Sequence, residues 1–280
     1  MCLARIVAAD LVSTEMICVY LVNEEPSYIG ILSHSLKMLR QHNRNVPIVV
    51  YYVQDGHRDT RYIPWVREMR QVTKRNNLPF DQESLSKLCQ ELKVEVRVRK
   101  PPQQEVYFSL HRLLLQEMEE ETVLLLDGDT FVYGNIEQFV YPGLDFVATV
   151  NSWGQNNSIP GKDVNFKMFN SGVVLWQNGW MKKWAGELEE YCRRLKERNH
   201  PLSEWLWSVS PECIGREEFA TTLFVLDHGL KYAYFDDAHV QTGIHNGSTL
   251  ILHTLTPNWL KYYNEYFNQK RTPLYRPRLK

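Results

Sequence analysis

The sequence lacks the features that mark several broad classes of protein. No uncharged apolar run reaches the ~18 residues of a membrane-spanning helix. The apolar stretch 1–22 is interrupted by Asp10 and Glu15 and is followed by no small-residue cleavage site, so we expect a strand there and not a signal peptide. Neither sign of charge dominates, because 32 Lys and Arg residues stand against 33 Asp and Glu residues. The resulting net charge of −1 argues against a nucleic-acid partner.

Cysteines are few and show no pairing pattern. The five are widely spaced and contain no C-x-x-C motif, which excludes a common zinc ribbon and argues against a disulfide scaffold. A reducing, cytoplasmic location fits this usage. Internal repeats and low-complexity linkers are also absent, so we expect one domain over residues 1–268 and a basic tail over 269–280.

Alternating strand and helix patterns predict an α/β fold. Buried, β-prone runs at 17–22 and 47–53 flank a helical pattern over 28–42, which together make a βαβ unit of a parallel sheet. Further strands are predicted at 94–99, 122–126, 146–150, 169–176 and 249–252. Further helices are predicted at 109–121, 181–198 and 217–227, with two more inside 58–93.

Two aspartates follow directly after the apolar strand 122–126. This places Asp127 and Asp129 at the carboxyl end of a strand, where open α/β sheets bind ligands. If the strand geometry continued, the spacing of two would point both carboxylates the same way. Such oxygen ligands suit Mg²⁺ or Mn²⁺, with phosphate oxygens and water completing the coordination. The alternative is that Asp-Gly-Asp is only a turn after a strand.

Two segments resemble the signatures of glycosyltransferase family 8, which includes glycogenin, galactinol synthases and bacterial lipooligosaccharide galactosyltransferases. Leu124-Leu-Leu-Asp-Gly-Asp-Thr-Phe-Val132 is similar to its LDxDT segment, and Phe169-Asn-Ser-Gly-Val-Val174 is similar to its FNSGV segment. The resemblance spans about residues 17–262. It implies a GT-A, Rossmann-like nucleotide-diphospho-sugar transferase fold with a mixed, mostly parallel central sheet flanked by helices.

The resemblance also implies a function and a set of ligands. The protein would be a metal-dependent hexosyltransferase that moves a sugar from a UDP-sugar to a sugar, lipid or protein hydroxyl, with retention of anomeric configuration. Asp127, Asp129 and His253 would bind the metal, for which the imidazole favours Mn²⁺ over Mg²⁺. Without the resemblance to this family, we would interpret His253 as an ordinary histidine at the end of a strand. The candidates for binding the donor are Val22, Asn23, Tyr28, Asp127, Gly128, Asn170, Ser171, Gly172 and Lys261.

Three residues are candidates for catalysis. Arg112 looks like the basic residue that contacts the sugar or diphosphate, with His111 as the alternative register and a solvated helix face as the structural alternative. Glu217 and Glu218 replace the family's Asp-Gln pair, and one of them would stabilise positive charge at the anomeric carbon or act as nucleophile. We favour Glu218; the alternative is that both are charges at a helix start.

Two other function classes stay open. A haloacid-dehalogenase-type phosphohydrolase also has Asp-x-Asp after a strand, but its motif usually opens the chain and has Thr or Val where this chain has Phe131. A non-catalytic nucleotide-sugar binder would keep the fold and account for the replaced Asp-Gln pair. The basic tail 269–280, which contains Leu274, Tyr275 and Leu279, predicts either a weak peripheral membrane contact or a simple solvated terminus.

Overall fold

The computed structural model describes most of the predicted domain. The described residues are 16–54, 70–71, 73–74, 76–100, 108–150, 157–158, 165–166, 168–209, 217–236, 239–242 and 248–254. Residues 58–69 of the stretch predicted to hold two helices, the side chain of His111, the candidate Lys261 and the tail 269–280 lie outside them.

The centre of the fold is a seven-stranded sheet. The described strands are β1 (Met16–Asn23), β2 (Ile48–Val53), β3 (Glu95–Arg99), β4 (Thr122–Leu126), β5 (Thr130–Val132), β6 (Phe146–Val150), β7 (Asn157–Ser158), β8 (Asn165–Phe166), β9 (Phe169–Trp176), β10 (Tyr232–Tyr234), β11 (Val240–Thr242) and β12 (Ile251–His253). The sheet has the order β10-β6-β9-β4-β1-β2-β3. Only β9 runs antiparallel to its neighbours β4 and β6, so the predicted mixed, mostly parallel sheet is confirmed.

Helices connect these strands. Within the described residues they include α1 (Pro26–His42), α2 (Gln82–Glu91), α3 (Trp180–Lys196), α4 (Ser203–Val209) and α5 (Glu217–Asp227), with 3-10 helices at Phe108–Glu117 and Glu137–Phe139. Helix α1 begins before the predicted residue 28 because Glu25 caps it and Pro26 suits its first turn. The predicted helix over 109–121 was wrong in type and extent, since it is a 3-10 helix that ends at Glu117. The sequence did not predict α4.

Alternate residues of the strands face two apolar clusters on opposite sides of the sheet. Val19 and Leu125 point to the cluster that contains Trp184 of α3 and Phe224 of α5. Tyr20 and its neighbours on the other face point to the cluster that contains residues of α1 and α2. Because successive side chains of a strand alternate between faces, a sheet covered on both sides needs continuous apolar strands. The runs at β1, β2 and β4 meet that requirement.

A second, three-stranded sheet has the order β11-β12-β5. Strand β5 begins at Thr130, directly after Asp-Gly-Asp, and its antiparallel partner β12 sets His253 opposite Thr130. The predicted strand 249–252 is thus shifted to Ile251–His253 and belongs to this small sheet. This pairing brings the late histidine to the aspartates.

In the part of the chain that the structure describes, Cys18, Cys89 and Cys192 are buried free thiols, as the lack of a pairing pattern predicts. None of the helices within the described ranges is long and apolar enough to cross a membrane.

Candidate metal and donor site

The Asp-Gly-Asp segment is a turn at the carboxyl end of β4. The Thr130 backbone N–H donates to the carbonyl of Asp127 at 3.1 Å, and the Thr130 hydroxyl donates to the same oxygen at 2.9 Å. The expectation that continuing strand geometry aligns the carboxylates was therefore wrong, because β4 has already ended at Leu126. The turn brings the two side chains to the same side of the sheet edge.

Asp127, Asp129 and His253 converge as the sequence predicts. His253 Nε2 lies 3.3 Å from Asp129 Oδ1 and 3.6 Å from Asp127 Oδ2. One ligand atom from each of the three residues lies within 4.8 Å of the others. Asp129 and His253 are buried, and both the N–H and the hydroxyl of Thr254 donate to the Asp129 carbonyl. These bonds fix β12 against the aspartate turn.

The other ring nitrogen of His253 is held by Asn170. Nδ1 lies 3.0 Å from Asn170 Oδ1, which also accepts the backbone N–H of Gly172 at 2.9 Å. Since this oxygen can only accept, Nδ1 must be the donor. A neutral His253 then keeps its lone pair on Nε2, directed at the carboxylates. Two carboxylates and such an imidazole are a donor set that fits a divalent cation.

Burial and charge act against each other on these groups. Burial lowers the pKa of His253, but the carboxylates of Asp129 and Asp127 outweigh it and raise the pKa to about 9. Burial also raises the pKa of Asp127, an effect that Arg112 and His253 oppose. The cluster therefore binds a proton readily when no cation is present.

Arg112 connects this cluster to the predicted glutamate pair. Its Nη2 lies 3.1 Å from Asp127 Oδ1 and 3.4 Å from Glu217 Oε1. Arg112 itself is buried, which rules out a solvated helix face. A fixed guanidinium between two carboxylates reduces their mutual repulsion and neutralises part of their charge.

Glu217 and Glu218 form the first turn of α5 and also reach the site. Glu218 Oε1 accepts from Asn170 Nδ2 at 3.3 Å and from the Ser171 backbone N–H at 3.4 Å. The Ser171 hydroxyl donates to Glu217 Oε1 at 3.0 Å. The two interpretations of this pair are therefore compatible, since the glutamates start a helix and their carboxylates face the FNSG segment.

The remaining donor candidates lie around the same sheet edge. Val22 and Asn23 end β1, which is parallel and adjacent to β4, and both are buried. Asn23 Oδ1 accepts the Glu25 N–H, while Asn23 Nδ2 has no hydrogen-bond partner within the described residues. Tyr28 lies half-buried in the first turns of α1.

Two glycines of the signatures have different surroundings. A Cβ on Gly172 would lie 2.1 Å from His253 Cε1, so the imidazole packs directly on the backbone of this residue. A Cβ on Gly128 would meet Leu32 Cβ of α1 at 3.6 Å, an ordinary contact. Gly172 is thus required for the position of His253, which the sequence alone did not reveal.

Several residues that position this site were not predicted from the sequence. Thr254 and Thr130 follow the metal-ligand candidates directly, so their adjacency was a signal that could have been used. The hydroxyl of Thr149 donates to Asn170 Oδ1 at 3.4 Å. Its role could not be predicted from sequence neighbours, because Thr149 lies on β6 and Asn170 on β9.

Comparison with known proteins adds evidence on the fold. No protein-family model and no curated protein matches the sequence. An active-site mutant of LgtC is 13% identical, with a TM-score of 0.51 over 89% of this chain and 95% of that chain. GlyE of Streptococcus pneumoniae is 18% identical over 91% of this chain and 64% of that chain, with a TM-score of 0.47. Mouse xyloside xylosyltransferase 1 is 12% identical over 86% of this chain and 98% of that chain, with a TM-score of 0.49.

At such low identity, and with only LgtC above a TM-score of 0.5, these likenesses concern the fold alone. A further LgtC structure, described as a galactosyltransferase, contains donor and acceptor sugar analogues. The chain has the GT-A fold of LgtC, as the resemblance to family 8 implied.

Proposed function

We propose that this protein is a metal-dependent glycosyltransferase that transfers a sugar from a nucleotide-sugar donor, a UDP-sugar, to a hydroxyl acceptor. The convergence of Asp127, Asp129 and His253 at the carboxyl edge of a GT-A sheet carries the proposal. A phosphohydrolase of the haloacid dehalogenase type is not favoured, because its fold is not the one observed here.

Asp127, Asp129 and His253 would hold the cation, for which Mn²⁺ is our first choice and Mg²⁺ our second. When bound, it would supply positive charge for the departing diphosphate. Asp129 and His253 are almost fully buried, whereas the Asp127 side chain is 36% exposed. Asp127 is therefore the ligand best placed to contact the donor as well.

The glutamates and Arg112 would act on the other side of the transferred sugar. Glu218 accepts hydrogen bonds from Asn170 Nδ2 and from the Ser171 N–H, which would hold its carboxylate where positive charge develops at the anomeric carbon. Glu217 is paired with Arg112, which fits a supporting role for it. In this scheme Arg112 orients the acids and neutralises part of their charge.

Further details of the proposal rest on the resemblance to family 8. They are membership of that family, transfer with retention, and donor contacts from Val22, Asn23, Tyr28, Gly128, Ser171, Gly172 and Lys261. The acceptor would be a hydroxyl of a sugar, lipid or protein in the cytoplasm. The tail 269–280 would provide at most a weak contact with anionic membranes.

A donor-hydrolysis assay tests the proposal. Purified protein is incubated with a panel of UDP-sugars and Mn²⁺, and released UDP is measured with and without candidate acceptor alcohols. We expect slow UDP release from one or two donors, abolished by chelator and by Asp129→Asn. A non-catalytic binder would bind the donor without releasing UDP, and a phosphohydrolase would instead cleave simple phosphate esters.

A further inference from the structure

Asn170 occupies an irregular point in the sheet. Ala148 of β6 pairs with Val174 of β9, yet the next residue of β6, Thr149, pairs with Asn170. The chain between Asn170 and Val174 therefore bulges away from β6. Bulges of this kind redirect side chains next to functional sites.

The bulge directs the amide of Asn170 toward two groups of the site. Its Oδ1 accepts from the Gly172 N–H at 2.9 Å and from the Thr149 hydroxyl at 3.4 Å. Because a backbone N–H can only donate, these contacts fix which end of the amide is oxygen. His253 Nδ1 lies 3.0 Å from that oxygen, and Glu218 Oε1 lies 3.3 Å from the opposite Nδ2.

We propose that Asn170 is a positioning residue that sets both halves of the site through one amide. Its oxygen holds the neutral His253 in the tautomer protonated on Nδ1, which aims the Nε2 lone pair at Asp127 and Asp129. Its Nδ2 holds the carboxylate of Glu218. The part concerning metal binding rests on the proposed function, whereas the tautomer of His253 does not.

This role differs from direct contact with the sugar. Asn170 is 6% exposed, and both ends of its amide already have protein partners. A ligand hydroxyl would have to displace one of those partners. Outer partners of metal-binding histidines commonly fix the tautomer, and their loss typically costs 10–100-fold in metal affinity.

The first test needs neither metal nor turnover. ¹⁵N NMR of histidine-labelled, metal-free protein is recorded at a pH where the ring of His253 is neutral, and its signal is assigned with His253→Gln. We expect protonation on Nδ1 in the wild type. Protonation on Nε2 would overturn the proposal, whatever the outcome of the transferase assay.

Two variants at the same position separate the two halves of the amide. Asn170→Ala removes both bonds, and we expect a mixed His253 tautomer and roughly 10–100-fold weaker Mn²⁺ binding by calorimetry. Asn170→Asp keeps the accepting oxygen but sets a second oxygen against Glu218. It should retain the tautomer and Mn²⁺ affinity at or above the wild-type value, yet lower kcat.

A buried asparagine elsewhere provides the matched control. Asn43 caps the far end of α1, where its side chain bonds the Gly134 carbonyl and the Ile136 N–H. Asn43→Ala should lower stability while leaving the His253 tautomer and Mn²⁺ affinity unchanged. If Asn170→Ala behaved like Asn43→Ala, or if Asn170→Asp lost the tautomer as completely as Asn170→Ala, the proposed role would be wrong.

Discussion

At the scale of single residues, the position of His253 depends on the backbone against which its ring packs as much as on its polar partners. The ring packs on the backbone of Gly172, its Nδ1 is held by Asn170, and its Nε2 faces two carboxylates. These contacts come from two segments of the chain, strand β9 and the turn after β4. Small changes in any of them should therefore be measurable as a change in metal binding.

Gly172→Ala tests the contact with the ring. The added Cβ would lie 2.1–2.6 Å from three ring atoms of His253, so the imidazole must move away. The change introduces no backbone strain, because the φ of Gly172 is not positive. We expect Mn²⁺ binding, measured by calorimetry, to be at least tenfold weaker. Tenfold is the lower end of the loss that follows when the positioning of a metal ligand is disturbed.

Gly186→Ala is the matched control for that substitution. Gly186 lies inside α3, and its added Cβ would come no closer than 3.9 Å to Gln116 Oε1. Alanine there should stabilise the protein by about 0.4–1 kcal/mol without changing Mn²⁺ affinity. Wild-type affinity in Gly172→Ala would show that His253 does not need its place above this glycine.

The raised pKa of His253 predicts how metal-free protein responds to pH. The folded pKa of about 9 lies above the ordinary value of 6.5, so the protonated ring stabilises the fold. This contribution is complete below pH 6.5 and is lost as the pH rises through 9. Urea unfolding in chelator should show the decline between pH 6.5 and 9.5, and His253→Gln should lack it. A flat wild-type profile would contradict the assignment.

At the scale of elements, long apolar strands were predictable and short pairings were not. β1, β2 and β4 are continuous buried runs, which carry a strong sequence signal. The strands of the small sheet have three residues each, too few to show a period. Their pairing depends on segments that are distant in sequence, and a single sequence does not encode such pairing visibly.

The same contrast applies to the site. The two signatures and the late histidine pointed to the three residues that converge, because these residues keep recognisable neighbours in sequence. The role of Asn170 depends on the bulge between β6 and β9, which no local pattern marks. The contact between Gly172 and the imidazole likewise depends on three-dimensional packing alone.

Arg112 joins three elements, and its removal should loosen all of them. It lies on the 3-10 helix, and its partners are Asp127 after β4 and Glu217 at the start of α5. Arg112→Met roughly keeps the side-chain volume but removes the guanidinium that lies between the carboxylates of Asp127 and Glu217. Because the side chain of Asp127 is partly exposed, we expect a loss of about 1–3 kcal/mol, less than for a fully buried pair.

Urea unfolding at neutral pH measures this loss. Arg193→Met is the control, because Arg193 pairs with the exposed Glu190 and Glu197 on α3. Exposed ion pairs contribute little to stability, so the control should unfold close to wild type. Equal effects of the two substitutions would mean that Arg112 is no more than a surface cation.

At the scale of the whole molecule, the sheet separates two apolar clusters and collects the polar groups at one edge. Parallel strands β1 and β4 end there, and the small sheet adds His253 from the side. Ligands bound at such an edge contact several elements at once. Their binding should therefore stabilise the fold as a whole.

A thermal-shift experiment measures that coupling. UDP together with Mn²⁺, each in large excess, should raise the Tm by on the order of 5 °C, as expected for about 100-fold excess over Kd. UDP with chelator should change the Tm little. Asp129→Asn should abolish the Tm shift that UDP and Mn²⁺ cause together. A shift that is equal with and without the metal would argue against metal-assisted diphosphate binding.

The small sheet also determines when the site can exist during synthesis. Thr254 and Asp129, which share two hydrogen bonds, are 125 residues apart in the chain. A ribosome adds about 5–20 residues each second, so roughly 6–25 s pass between the aspartate and its partner. Throughout that interval the emerging chain presents two carboxylates without their imidazole. The proposed cation site is therefore complete only after β12 has been made and has paired with β5.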